Sequence, residues 1–207
     1  VAGEYLRATS LINSLILPAL AAIAVLAHDI VSLLYGSTWL QAAPAIPWLC
    51  LAYAVSSLFT LSTPALTGVG KPYASIGPTA FLVFVKIAFA WWLMDGTLRT
   101  FAVAIALGQL LSAPAMVLML YRHLGLPVLA WLKNTLSVFA LAASIGTLCW
   151  IIRILLPDGW PSILTIAVTG SAAVIAFVFV SRALSLPISH ELQRLFKQLH
   201  KKPSPPM

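Results

Sequence analysis

Charged residues in this chain are set apart by long apolar stretches, and the lengths of those stretches limit the fold more than any motif does. A helix rising 1.5 Å per residue needs about 20 apolar residues to cross a ~30 Å hydrocarbon core. Ala8 to Ala27 is free of charge, and so is Ile30 to Gly70. The second stretch is too long for one crossing. It is interrupted by Gly36, Trp39, Pro44 and Pro47, which places its membrane helix over Ala43 to Leu66. Further spans are expected over Tyr73 to Met94, Thr100 to Tyr121, Asn134 to Ile152 and Gly159 to Ser181. In lipid a helix satisfies its own backbone groups, so the expected fold is an all-α integral membrane bundle of about six transmembrane helices. Composition points the same way. Of 207 residues 61% are hydrophobic and 8% charged, whereas soluble domains carry about 25% charged residues.

The loops set a direction. With the N-terminus inside, cytoplasmic segments hold Arg7, Lys71, Arg122, Lys133, Arg182, Arg194, Lys197, Lys201 and Lys202, nine of the 12 basic residues. The outer ends hold Arg99 and Arg153, together with the acids Asp29, Asp95 and Asp158. This bias follows the positive-inside rule and predicts a multi-pass protein with both termini of this segment cytoplasmic. The net charge of +7 is therefore a membrane pattern, and no nucleic-acid partner is expected. Cys50 and Cys149 sit in apolar runs and read as small buried hydrophobes. The chain starts at Val1, with Glu4 and Arg7 before the first apolar run, and is expected to begin inside a longer one.

Residues 1–186 form the transmembrane region, and the tail from Pro187 to Met207 differs from it. Ile188, Leu192, Leu195, Phe196 and Leu199 share one helical face, with Arg194, Lys197, Lys201 and Lys202 around it and Ser189 as N-cap. This predicts a short amphipathic helix lying on anionic phospholipid. The other reading is an ordinary solvated basic tail.

Within the spans, Lys86 costs most. It lies 13 residues after Tyr73, near mid-membrane, where a lysine costs about 2.5–3.5 kcal/mol on insertion scales. No span contains Asp or Glu. Either Lys86 faces a cavity and meets an anionic ligand such as a lipid pyrophosphate, or it snorkels toward the outer interface. Tyr53, Ser56, Thr60, Thr63 and Thr67 advance by three and four residues and share one helix face. They either line a polar cavity, bond back to preceding carbonyls, or glue helices together. Asn13 and Gln109 are isolated amides, for which interhelical hydrogen bonds are expected. Ala104, Gly108 and Ser112, like Ala142 and Gly146, recur every four residues and permit close helix approach. Pro18, Pro64 and Pro114 are expected to kink their helices.

Enzymatic chemistry finds little support. General acid–base catalysis gathers titratable groups at one site, but the five acids sit at helix ends or in the tail. His28 adjoins Asp29, yet neighbours along a helix point apart; His123, His190 and His200 keep basic company. No metal-binding motif, phosphate loop or cofactor site is seen, and TGVGKP reads as a turn closed by Pro72.

The stretch from Leu17 to Pro72 does carry a family likeness. LPALAAIAVLA, an apolar helix with a proline, leads into DIVSLLYGSTWLQAAPAIPWLCL, where Gly36 and Trp39 precede the Ala-Pro start of the next span. That span ends in LTGVGKP. In order and spacing this resembles the polysaccharide transporters of the multidrug/oligosaccharidyl-lipid/polysaccharide flippase superfamily. The resemblance implies a two-lobed transporter of 12 to 14 helices, of which these six would be the ninth to fourteenth, with the N-terminal lobe as partner. It implies movement of a polyprenyl-pyrophosphate-linked oligosaccharide across the bacterial inner membrane by alternating access, with no covalent step. The alternatives are a multidrug exporter of the same superfamily, a membrane glycosyltransferase or acyltransferase, and a small structural membrane protein.

Overall fold

The computed structural model describes residues 2–93, 96–157 and 160–183. Among them there is no strand, and six helical segments are long and apolar enough to cross a membrane: Ala2–Val25, Ser37–Gly68, Pro72–Trp92, Leu98–Leu124, Val128–Leu155 and Ser162–Val180. The chain is an all-α, multi-pass membrane protein. The amphipathic tail with Arg194, Lys197, Lys201 and Lys202 lies outside the described residues.

Several helices run beyond the charge-free stretches that predict them. α1 (Ala2–Val25) begins before Glu4 and Arg7, and α7 (Val128–Leu155) contains Lys133 and Arg153. Charge marks where lipid stops, whereas a helix stops only where its backbone does. α6 (Leu98–Leu124) shows both terminal devices. Thr100 N–H donates to the Thr97 side chain at 3.2 Å, and Gly125, at φ +64°, caps the other end ahead of Pro127. α8 spans Ser162–Ala183. A short α2 (Ala27–Tyr35) follows α1, and Gly36 at φ +79° turns the chain into a 3₁₀ segment over Ser37–Ala45.

The second span is not one helix. It consists of that 3₁₀ segment, α3 (Ile46–Ser57), a broken turn over 58–61, and α4 (Ser62–Gly68). Pro64 explains the break: its nitrogen has no hydrogen for the Thr60 carbonyl, and its ring crowds that carbonyl. The ladder tightens instead to i→i−3 bonds, Phe59 N–H to Ser56 O at 3.0 Å and Ser62 N–H to Phe59 O at 2.9 Å. The Leu58 carbonyl loses its usual partner, the Ser62 N–H, and accepts the Tyr5 hydroxyl of α1 at 3.2 Å.

Packing partners run in the order α5 (Ile76–Trp92), α6, α3, α1, α7, α8, with α2 against α8. The largest apolar cluster gathers Tyr5, Val55, Leu58, Phe59, Leu66, Met116, Met119, Leu120, Leu126 and Trp131 around the broken turn. α5 is the least embedded helix, with Val85 its one buried residue. Its Ile76, Phe81, Phe84, Ile87, Trp91 and Trp92 are exposed, as suits a helix facing acyl chains.

Candidate functional site

The hydroxyl row occupies the outer surface of the broken span. Tyr53 is 66% exposed, and Ser56, Thr60, Thr63 and Thr67 are exposed along the same side. Thr67 bonds back to the Thr63 carbonyl at 3.0 Å. The other four hydroxyls have no hydrogen-bond partner among the described residues. The opposite side of the same helices, Cys50, Ala54, Val55, Ser57, Leu58, Ser62 and Leu66, is buried. Thr60 lies within the broken turn, so the row is interrupted where the backbone itself leaves the regular ladder. None of the five side chains glues this span to another described helix.

Lys86 stands on the α5–α6 seam. Its stem lies over Gly108: a Cβ there would come 2.8 Å from Lys86 Cγ and 3.1 Å from its Cα. Ala104, Gly108 and Ser112 are buried, and the Ser112 hydroxyl donates to the Gly108 carbonyl at 2.6 Å. Gly108, in the middle of the small-residue row on α6, is thus the point at which α5 approaches closely. Lys86 is half-buried, and no acid among the described residues lies within ion-pair distance of it.

Asp29 and Arg153, both assigned to the outer ends, form an ion pair across α2 and α7, Nε to Oδ2 at 2.9 Å. The Asp29 side chain is 8% exposed, that of Arg153 34%; His28 beside it points outward. The carboxylate is held by a guanidinium and turned away from its histidine neighbour, which is a structural arrangement.

Sequence reasoning missed a polar cluster between α1 and α7. Ser10 donates to Asn134 Oδ1 at 3.0 Å, and Asn134 Nδ2 donates to the Leu6 carbonyl at 3.4 Å. Just behind them lie Thr9, Asn13 and Trp131, at 5%, 2% and 8% exposure. The Thr9 hydroxyl, both amide atoms of Asn13 and the Trp131 indole nitrogen are buried without a partner. The interhelical hydrogen bond expected for Asn13 is therefore absent. The signal in the sequence was only that α1 carries Thr9, Ser10, Asn13 and Ser14 together while Asn134 opens a span far downstream; nothing there pairs them. Among the described residues no group of acids, histidines or cysteines can hold a metal ion.

Compared with protein-family models, with curated proteins and with solved structures, the chain matches none of them.

Proposed function

We propose that this chain works as part of a flippase that carries a polyprenyl-pyrophosphate-linked oligosaccharide across the bacterial inner membrane by alternating access. One observation supports the reading above the others: a row of five hydroxyls, four of them without a partner among the described residues, exposed along a membrane span whose ladder breaks within it. Bare hydroxyls and irregular backbone are tolerated at membrane depth where they are covered by protein or line a water-filled cavity, and not against acyl chains. Broken helices of this kind supply binding surfaces in transporters that rock two halves about a central site. In this reading Tyr53, Ser56, Thr60, Thr63 and Thr67 hydrogen-bond sugar hydroxyls from one wall of a cavity. A second lobe provides the other wall. Lys86, with no acid among the described residues in ion-pair reach, neutralises part of the pyrophosphate.

The chemistry is translocation and leaves every covalent bond intact. The ion pairing of Asp29 favours this over a glycosyl- or acyltransferase, and a cationic Lys86 favours an anionic glycolipid over an organic cation. The likeness of Leu17 to Pro72 to polysaccharide flippases supports the same choice, and the nine-to-two distribution of basic residues supports cytoplasmic termini.

The test is glycan export by the protein as the cell makes it. A Thr60→Leu/Thr63→Leu variant and a Lys86→Ala variant should each lose export while inserting normally. Export at the parental level by the double threonine variant would reduce the hydroxyl row to a protein–protein seam. The same result for Lys86→Ala would leave only a snorkelling lysine.

A further inference from the structure

At the basic end of the bundle, where Arg7, Lys71, Arg122 and Lys133 lie, a crevice of about 450 Å³ opens between α1 and α7. Arg7 on α1 and Lys133 on α7 line it, together with Leu6, Ser10, Asn134 and Ser137. No acid among the described residues pairs with either cation. Leu6, Ser10 and Asn134 are also walls of a second, smaller cavity deeper in the bundle, lined by Thr9, Asn13 and Trp131. That inner space is about 10 Å³, room for the centre of one water molecule. Its wall groups are the four orphaned polar atoms: a hydroxyl, both ends of an amide and an indole N–H. A water needs two to four polar partners to remain buried, and these groups provide them.

Two unpaired cations flanking the Asn134 amide, with the Ser10 and Ser137 hydroxyls already bonded to Asn134 Oδ1 and the Lys133 carbonyl, form a receptor for a compact, oxygen-rich anion. The surroundings say which one. α7 exposes Leu129 and Leu132 beside the crevice and Leu136 about one turn further into the span, at 82%, 45% and 60%, and acyl chains cover it from Leu136 onward. We propose that the crevice between α1 and α7 binds the phosphate-bearing headgroup of an anionic membrane phospholipid. Arg7 and Lys133 clamp the phosphate from either side, and Asn134 Nδ2, which gives one hydrogen to the Leu6 carbonyl, has a second to offer it. The single water beneath ties the headgroup layer to the buried amide of Asn13. This site is separate from the hydroxyl row and from the basic tail, and stands whether or not the chain moves a glycolipid.

The measurement uses the whole chain in vesicles of phosphatidylcholine with or without phosphatidylglycerol, followed by native mass spectrometry of the lipid retained. The parent chain should keep one phosphatidylglycerol in preference to phosphatidylcholine. Arg7→Gln/Lys133→Gln should weaken that retention about 30-fold, the sum expected from two interfacial charges. A charge-keeping Arg7→Lys/Lys133→Arg variant should retain it, which separates binding from folding. Asn13→Leu, which fills the water space, should weaken retention several-fold, while Lys197→Gln/Lys201→Gln/Lys202→Gln in the tail should not. Equal retention by the parent and the double glutamine variant overturns the proposal. Parental retention by Asn13→Leu also overturns it, leaving two surface cations and no site. If inorganic phosphate displaces the lipid and protects the chain against heat as well as the lipid does, the occupant is free phosphate and the lipid assignment fails.

Discussion

Gly108 is the residue on which the α5–α6 seam turns. A methyl group added there meets the Lys86 Cγ at 2.8 Å and the α5 backbone at 3.1 Å, so the helices must move apart rather than a flexible tip swing away. Gly108→Ala should therefore destabilise the chain by about 1–3 kcal/mol, the usual cost of overpacking. Gly146 is the control: its added methyl would lie 3.4 Å from the Ala21 Cβ, and the helix preference of alanine offsets the crowding. Titration of the two variants with denaturant in mixed micelles should separate them clearly; equal behaviour would mean that α5 and α6 are not packed this closely. The Asp29–Arg153 pair is asymmetric in a similar way. Arg153→Ala strands a carboxylate that is 8% exposed, whereas Asp29→Asn leaves a guanidinium already one-third in contact with solvent. Removing the arginine should cost about 1–3 kcal/mol, below the range for fully buried pairs because of that exposure. Removing the aspartate charge should cost less, and the reverse order in the same unfolding measurement would show that the carboxylate is not desolvated.

Among the elements, the broken span has a cause that mutation can remove. Pro64→Ala restores a donor for the Thr60 carbonyl and takes away the ring that crowds it. Amides of Ser62 and Thr63 should then exchange more slowly with solvent deuterium as α3 and α4 join. Unchanged exchange would assign the break to the Ser57 and Ser62 hydroxyls, which bond the carbonyls of Ala54 and Phe59 at 2.8 and 2.6 Å. This element also shows where sequence reasoning reaches and where it ends. The spans were legible because each apolar run is closed by charge, and the shared face of Tyr53 to Thr67 follows from helical spacing alone. Spacing does not say which way a face points, and nothing local sets the hydroxyl row outward; the burial of Val55, Leu58 and Leu66 against α1 and α6 does. Pro64 announced a kink, yet the donor that takes up the freed Leu58 carbonyl, the Tyr5 hydroxyl, lies fifty-three residues from it in sequence. The Asn134–Ser10 bond spans 124 residues and has no signature in either helix.

For the whole molecule, most basic residues lie at the end opposite most tryptophans, Arg99 and Arg153 being at the tryptophan-rich end. Arg7, Lys71, Arg122 and Lys133 lie toward one end, and Trp39, Trp48, Trp91, Trp92, Trp150 and Trp160, six of the seven tryptophans, lie toward the other. Tryptophan settles at the headgroup level of either interface, so the expected orientation follows from the arginines and lysines, which collect on the cytoplasmic side. Both native cysteines are buried, so a single introduced cysteine reports cleanly. Leu98→Cys should react with an impermeant maleimide added outside intact cells, and Lys71→Cys should react only once the membrane is opened. The reverse pattern would invert the chain in the membrane and place the α1–α7 crevice on the outer face.

α5 is joined to its neighbours through glycines at positive φ, Gly70 at +74° before it and Gly96 at +82° after it, and it is held to the bundle by little more than the strip around Val85. In water such a helix would unfold on leaving its partner. In lipid it keeps its backbone bonds and trades one apolar surrounding for another, so detachment forfeits mainly close packing. The exception is Lys86, whose stem loses Gly108 and whose charge would then meet acyl chains. The residue that makes α5 expensive to insert is thus also its tether, drawing the helix back to α6 whenever it drifts.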